Sequence, residues 1–206
     1  DAVLDGRAGG ARWRRRKAGQ RPQQHRGDGV DQALRHVLIT MGGVDMIDAS
    51  GLVLEALESC DLPLECQVTV VMGGTAPWLE QVRSKAACLP WDTRVMVSAN
   101  NMAQLMADAD LCIGAAGSTS WERCALGLPC VLLCLADNQK MVIEALSSRG
   151  VAIALDVQAL RERGGRLLGE VLRQAWHAAP HMVESAAALT DGSGCARLME
   201  YLLEEQ

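Results

Sequence analysis

Short apolar runs alternate with helix-length amphipathic segments from His36 to the end of the chain. A parallel strand that is buried on both faces needs such a continuous apolar run, and each crossover between parallel strands needs a helix-length segment. The pattern therefore predicts an α/β domain in which helices cover both faces of a parallel sheet. Six strands are predicted, at 37–41, 66–72, 94–97, 110–114, 130–134 and 151–155.

Helices are predicted between these strands and after the last one. Pro77 suits the first turn of a helix, Asn100 or Asn101 can cap the next, and Gly127 can end the helix before the fifth strand. The predicted helices cover about 49–59, 77–87, 101–108, 119–127, 138–149, 157–178, 181–189 and 195–205, with a turn at 190–194. Because crossovers are right-handed, six such units are expected to form a Rossmann-like sheet of order 3-2-1-4-5-6.

The first 35 residues differ from the rest in composition and charge. Residues 1–36 hold nine Lys/Arg against four Asp/Glu, whereas the remaining residues hold eleven against twenty-one. The segment 1–35 is rich in Gly, Arg and Gln without apolar periodicity, which predicts a disordered basic leader before a single domain at 36–206. Its basic run 12–17 resembles a nucleic-acid arm, but the acidic body argues against a nucleic-acid partner.

Several classes of protein and site are not expected. No stretch of about 18 apolar residues and no apolar N-terminal signal region occur, which predicts no membrane span and a cytoplasmic location. The eight cysteines lack C-x-x-C spacing and are expected to be reduced, small core residues. No acidic ligand cluster accompanies the phosphate site described below, so neither a metal nor a cofactor is expected.

Two glycine-containing loops follow the first and fourth predicted strands. A sheet of this order reverses direction between those strands, and ligands bind beyond the carboxyl ends of the strands there. The first loop reads Thr-Met-Gly-Gly at 40–43, and the second reads Gly-Ala-Ala-Gly-Ser-Thr at 114–119, before a helix. Glycines let backbone N–H groups approach an anion, and a helix N-terminus favours negative charge, so the loops predict a phosphate site. Neither a Walker A motif nor a G-x-G-x-x-G after the first strand occurs.

Thr119 and Glu122 have the spacing of a capping box, in which each side chain accepts a hydrogen bond from the other residue's backbone N–H. A carboxylate one turn into a phosphate-binding helix can alternatively accept hydrogen bonds from the hydroxyls of a ribose. The spacing alone leaves both roles for Glu122 open.

Segments 40–43, 114–124, 127–129 and 136–139 together resemble the carboxyl-terminal half of the UDP-2,4-diacetamido-2,4,6-trideoxy-β-L-altropyranose hydrolase family of pseudaminic acid biosynthesis. The resemblance covers about 36–205. That family is built like the GT-B glycosyltransferases, from two Rossmann-like domains, and is similar to the lipid II-forming N-acetylglucosaminyltransferase and to spore-coat polysaccharide proteins. The resemblance implies binding of UDP or a UDP-sugar by Gly42 and Gly43, by Gly117, Ser118 and Thr119 at the diphosphate, by Glu122 at the ribose, by Ala99 at the uracil and by Asn138 and Gln139 at the sugar.

The amino-terminal domain of that family carries a Gly-x-Gly-His loop with the catalytic histidine, and this chain contains no such loop. His25, His36, His177 and His181 are interpreted as solvent-facing or structural, and Pro180 is expected to break the helix between the last two.

No catalytic residue is therefore assigned in this chain, which is expected to be the nucleotide-binding half of a UDP-sugar hydrolase and to need an amino-terminal domain. The alternatives are the donor-binding domain of a GT-B glycosyltransferase for surface polysaccharide synthesis and a non-catalytic nucleotide-sugar-binding module.

Overall fold

The computed structural model describes residues 34–190 and 192–204. The strands within these ranges are β1 His36–Thr40, β2 Gln67–Met72, β3 Asp92–Val97, β4 Leu111–Ala115, β5 Cys130–Leu133 and β6 Ala152–Leu155. The α-helices are α1 Ala49–Leu57, α2 Leu79–Cys88, α3 Met102–Asp108, α4 Thr119–Leu126, α5 Lys140–Ser148, α6 Val157–Leu189 and α7 Gly194–Glu204, and a 3₁₀ turn covers Asp137–Gln139.

All six strands pair in parallel in one sheet of order β3-β2-β1-β4-β5-β6. The predicted fold class and strand order are therefore confirmed. The registers place Thr40 beside Gly114 and Ala115 beside Leu133, so β1, β4 and β5 end close together. We call this side of the sheet the carboxyl edge.

Helices cover both faces of the sheet and divide the core into two layers. Successive side chains of a strand point to opposite faces, so Ile39 packs with α1, α2 and α6 whereas its neighbour Leu38 packs with α3, α4 and α5. Both residues are fully buried. This two-sided burial is the physical reason why the strands read as continuous apolar runs.

The helix end predicted at Gly127 is observed, whereas the helix break predicted at Pro180 is not. Gly127 ends α4 with a left-handed φ of 64°, as predicted. The predicted break at Pro180 is wrong, because Ala179 and Met182 are buried on either side of it and packing holds the helix together.

The interruption of α6 lies instead at Gly164, where φ is 53° and ψ is −139°. The next residue, Gly165, lies so close to the Ala56 carbonyl of α1 that a Cβ would collide with it. Although α6 spans 33 residues, neither it nor any other described helix is long and apolar enough to cross a membrane.

The domain already includes the two described residues that precede β1. Leu34 is fully buried in the core, and the backbone N–H of Arg35 donates a 2.9 Å hydrogen bond to the Asp110 carboxylate. The rest of the predicted leader, residues 1–33, lies outside the described residues.

Candidate functional site

The predicted ligand-binding residues lie in the loops that follow four strands at the carboxyl edge, or in the first turn of the helix that comes next. Gly42 and Gly43 follow β1, Ala99 follows β3, Gly117, Ser118, Thr119 and Glu122 follow β4, and Asn138 and Gln139 follow β5. The loops after β1, β4 and β5 leave neighbouring strands, and the first two flank the point where the sheet reverses direction. This is the position at which open α/β sheets bind ligands.

The loop between β4 and α4 (116–118) presents open backbone donors. Gly117 is exposed, and apart from its chain neighbours nothing lies within 4 Å of the position that a Cβ would occupy. Among the described residues, the backbone N–H groups of Ser118 and Thr119 have no acceptor, and the Ser118 side chain does not cap α4. Two free donors at the positive end of a helix form a site for an anion.

Thr119 and Glu122 do not form the capping box that their spacing allows. Helix α4 begins at Thr119, and its Oγ1 accepts a 2.7 Å hydrogen bond from Nη2 of Arg123. The half-buried Glu122 carboxylate makes no hydrogen bond or ion pair with a described residue. The capping-box alternative is therefore wrong, and this carboxylate can accept hydrogen bonds from a ligand.

Arg123, which sequence reasoning missed, holds this loop from inside. Its Nη2 also donates to the Ala115 carbonyl at 2.7 Å, and its Nε donates to the Thr119 carbonyl at 3.2 Å. The side chain is fully buried, and its Nη1 would lie 3.0 Å from a Cβ at Gly114. The available signal was an arginine four residues after Thr119, one helical turn on, in a segment that continues with Cys-Ala-Leu.

The N-terminus of α1 is closed to anions by two carboxylates of the preceding loop. The buried Asp45 accepts hydrogen bonds from the N–H groups of Ala49 and Ser50, both at 2.8 Å, and Asp48 accepts one from Gly51 at 3.1 Å. A phosphate there would meet two negative charges instead of free donors. Sequence reasoning treated both glycine loops as parts of one phosphate site, and the structure leaves only the α4 end open.

Gly42 and Gly43 lie in the exposed part of the loop after β1. Gly42 has a φ of 89°, which favours glycine, and no other residue lies within 4 Å of a Cβ position at either glycine. The Gly43 carbonyl packs directly against Gly73 of the loop after β2, where a Cβ would collide with it. The two glycines border open space beside the α4 site, and their contact with a ligand stays a prediction.

Ala99 lies on the α4 side of the sheet although its strand, β3, is at the sheet edge. It is half-buried against the same apolar cluster as Ala116, and the following helix α3 contacts α4. The preceding residue, Ser98, has a φ of 49° and its Oγ accepts a 3.1 Å hydrogen bond from the Gly74 N–H. The chain thus turns from β3 toward the α4 site, and recognition of uracil by Ala99 stays a prediction.

Asn138 and Gln139 belong to the 3₁₀ turn after β5. Asn138 is exposed, whereas Gln139 is half-buried and its Oε1 accepts a 2.8 Å hydrogen bond from the Leu135 N–H. One end of the Gln139 amide therefore stabilises its own loop. Its NH₂ group and the whole Asn138 amide are the groups that can bind a sugar hydroxyl, which stays a prediction.

The described histidines lie away from the carboxyl edge. His36 is the first residue of β1 and its Nε2 pairs with Thr69 Oγ1 at 2.9 Å, and His181 packs against Gly150, just before β6. His177 bonds the Arg173 carbonyl of its own helix at 2.7 Å. In the part of the chain that the structure describes, no group of three or more His, Cys, Asp or Glu side chains could hold a metal ion.

Comparison with known proteins identifies the family and the fold of this domain. A family model described as the glycosyltransferase family 28 C-terminal domain matches residues 36–191. The spore coat polysaccharide biosynthesis protein SpsG of Bacillus subtilis (strain 168) is 29% identical over 126 residues, which is 61% of this chain and 37% of SpsG. These matches do not support the expected assignment to the pseudaminic acid hydrolase family.

Two solved structures show the same fold at low sequence identity. MurG of Acinetobacter baumannii gives a TM-score of 0.54 at 18% identity, over 86% of this chain and 53% of MurG. The spinosyn rhamnosyltransferase SpnG complexed with thymidine diphosphate gives a TM-score of 0.58 at 21% identity, over 84% of this chain and 46% of SpnG. The chain thus spans about half or less of the length of each protein described here.

Proposed function

This chain belongs to the glycosyltransferase family 28 C-terminal domain family, and on this premise we propose that it binds the nucleotide-sugar donor of a glycosyl transfer in polysaccharide biosynthesis. The similarity to SpsG, a spore coat polysaccharide biosynthesis protein, supports the pathway class. The alternative hypothesis from the sequence, the donor-binding domain of a GT-B glycosyltransferase, therefore replaces the UDP-sugar hydrolase as the leading function.

The open N-terminus of α4 is the observation that carries this proposal. The N–H groups of Ser118 and Thr119, which have no acceptor among the described residues, and the accessible backbone of Gly117 lie where the helix dipole favours an anion. A nucleoside diphosphate supplies that anion. SpnG, which shares the fold, forms a complex with thymidine diphosphate, and this supports a diphosphate ligand of the same kind.

The remaining parts of the donor are assigned around this anchor. Glu122, one turn further along α4 and without a partner among the described residues, binds the ribose hydroxyls. Ala99 lies beside the base, which we assign as uracil, and Asn138 with the Gln139 NH₂ group binds the sugar.

The geometry favours departure of the diphosphate during transfer. An acceptor hydroxyl loses its proton and forms a bond to the anomeric carbon as the bond between that carbon and the β-phosphate oxygen breaks, and negative charge increases on the departing phosphate. Preorganised N–H donors stabilise such developing charge more effectively than water does, because they need no reorganisation. Ser118 and Thr119 thus both bind the donor and stabilise its leaving group, whereas activation of the acceptor falls to groups outside the described carboxyl edge.

Calorimetric titration of the 206-residue chain with UDP, TDP, ADP and GDP, each with and without EDTA, tests the proposal. UDP is expected to bind, and Glu122→Gln is expected to weaken binding by about 1 kcal/mol, because the glutamine oxygen still accepts a hydrogen bond but lacks the charge of the carboxylate. The matched control, Glu144→Gln, alters an exposed carboxylate of α5 and should leave the affinity unchanged.

Absence of heat with all four nucleotides at millimolar concentration would refute donor binding. Preference for another base would correct only the assignment of uracil, and loss of binding with EDTA would correct only the expectation of a metal-free site. Glu122 makes no hydrogen bond or ion pair with a described residue, so Glu122→Gln should lower the melting temperature by at most about 4 °C, the effect of removing a charge from the first turn of α4. This small change separates lost binding from lost folding.

A further inference from the structure

Arg123 carries a buried positive charge without a compensating carboxylate. Its side chain has no solvent-exposed surface, and an arginine keeps its proton in proteins. Among the described residues, no carboxylate forms an ion pair with it, and its Nη1 has no hydrogen-bond acceptor. Burial of an unpaired charge lowers the stability of the folded protein. Because the buried guanidinium lies under a loop with open anion donors, we infer that it contributes to the anion site.

The thiols around the guanidinium do not supply the missing negative charge. The positive charge of the guanidinium acts on three nearby thiols, those of Cys112, Cys124 and Cys130, and lowers their pKa values. Burial has the larger effect and raises the pKa of Cys124 to about 11 and that of Cys130 to about 12. Burial likewise raises the pKa of Cys112. The three thiols therefore stay protonated at neutral pH.

The hydrogen bonds of Arg123 connect it to the anion site. Two nitrogens of its guanidinium bind the two ends of the 116–118 loop, at Ala115 and Thr119. These bonds use carbonyl and hydroxyl oxygens, so the loop turns its oxygens inward to the cation and leaves the N–H groups of Ser118 and Thr119 free. A rigid planar fork suits this purpose better than a flexible ammonium group does.

We propose that Arg123 is a positioning residue for the donor diphosphate: it fixes the 116–118 loop from inside, and the bound phosphates supply the counter-charge that its buried guanidinium lacks. This inference rests on the proposed function. Because the side chain is inaccessible, it acts through the loop and through its electrostatic field and does not contact the ligand. The ligand chemistry that satisfies it is a diphosphate with at least two negative charges.

Calorimetry with UDP, uridine and inorganic pyrophosphate on the wild-type chain and on Arg123→Gln tests this role. Glutamine keeps a donor and removes the charge, so the affinities for UDP and pyrophosphate should fall by about 10- to 100-fold while that for uridine changes by less than about threefold. A purely structural role would weaken all three ligands alike. Arg94→Gln removes an exposed arginine of β3 and is the matched control, expected to change nothing.

Arg123→Lys supplies a second, titratable variant. A buried lysine loses its proton more easily than an exposed one, so the preference of this variant for UDP over uridine, which is lower than that of wild type because an ammonium group replaces the planar fork, should fall further relative to wild type between pH 6 and pH 9. A preference that stays independent of pH, or that is lost at every pH, would overturn the counter-charge role. This comparison decides the question even if Arg123→Gln does not fold.

The three ligands separate failure of this inference from failure of the donor proposal. An unchanged preference for UDP over uridine in folded Arg123→Gln would overturn the role of Arg123 alone. If wild type binds pyrophosphate but no nucleotide, the donor proposal fails, and the pyrophosphate affinities of wild type and variant decide the role of Arg123. Binding of neither UDP nor pyrophosphate by wild type would overturn both.

Discussion

Substitution of Asp45 by alanine tests whether the N-terminus of α1 is a structural cap or an anion site. The Asp45 carboxylate accepts hydrogen bonds from the N–H groups of Ala49 and Ser50, and both of those residues are fully buried. Neither N–H group can reach water after the substitution. We therefore expect Asp45→Ala to lower the free energy of unfolding and to leave the UDP affinity within about twofold of wild type.

The magnitude follows from the two orphaned donors. A buried donor without a partner costs about 1–3 kcal/mol, and loss of a helix cap costs about 0.5–2 kcal/mol. Because these terms overlap, we expect a loss of about 2–4 kcal/mol. In a domain of this size, that lowers the melting temperature by roughly 5–15 °C.

Asp48→Ala is the matched control. Asp45 and Asp48 both have a left-handed φ, of 46° and 55°, so the strain of an alanine there is common to both variants and cancels in their difference. Asp48 caps a single N–H group, that of Gly51, and its side chain is 22% exposed, so a loss of about 1 kcal/mol or less is expected.

Urea unfolding followed by circular dichroism gives both stabilities, and UDP titration well below the melting temperature gives the affinities. Equal destabilisation by the two variants would contradict the role of the buried bonds. Tighter UDP binding by Asp45→Ala would place the phosphate at α1 and refute the assignment to α4.

Three further predictions follow from burial and charge. Burial raises the pKa of the Asp48 carboxyl above its usual 3.8, and the charge of Lys85 opposes this rise. The folded state therefore binds a proton more readily than the unfolded state does. In urea titrations, the stability of wild type relative to Asp48→Asn should increase as the pH falls from 7 toward 4. Burial raises the pKa of the Cys60 and Cys66 thiols to about 12, so iodoacetamide at pH 8 should modify the exposed Cys88 before it modifies these two. Peptide mass mapping identifies the modified cysteines, and modification of the two buried thiols in the native state would contradict the packing. The 206-residue chain alone should release no UDP from UDP-sugars in a coupled assay, because the described histidines lie away from the carboxyl edge and a general base contributes about 10²–10⁴-fold; steady release would mean that the chain carries its own base.

The fold was predictable because the inner strands β1, β2, β4 and β5 are buried on both faces, whereas the edge strand β3 is only partly buried. A segment such as 130–133 has apolar side chains on both sides of the sheet and is therefore a continuous apolar run, whereas a surface helix has apolar residues on one side only. The error at Pro180 has a physical cause: the proline rule describes an isolated helix, whereas buried Ala179 and Met182 hold α6 together in the packed domain. Tertiary contacts decided that boundary, and they are invisible in a local pattern.

The site was predictable only to the level of its loops. Strand order identifies the loops after β1 and β4, because the chain reversal is a property of topology. The roles of Asp45 and Arg123 depend on which way each side chain points. From the sequence alone, an aspartate beside a glycine loop is equally compatible with a ligand contact and with a helix cap. An arginine in a short helix is expected to be exposed, and only the packing shows that Arg123 is buried.

Helices α1 and α4 differ in whether the N–H donors at their N-termini, at the carboxyl edge, are satisfied by described residues. Helices α1 and α4 both follow glycine-containing loops at the ends of the neighbouring strands β1 and β4, so the positive ends of both helices lie at the carboxyl edge. At α1 the chain supplies its own carboxylates, and the donors are satisfied in the free protein. At α4 the adjacent charge is the buried cation of Arg123, and the donors of Ser118 and Thr119 have no acceptor among the described residues. An anion near both helix ends would be repelled at α1 and attracted at α4, so under the proposed function we expect the charges of a few loop residues to set the orientation in which a nucleotide binds.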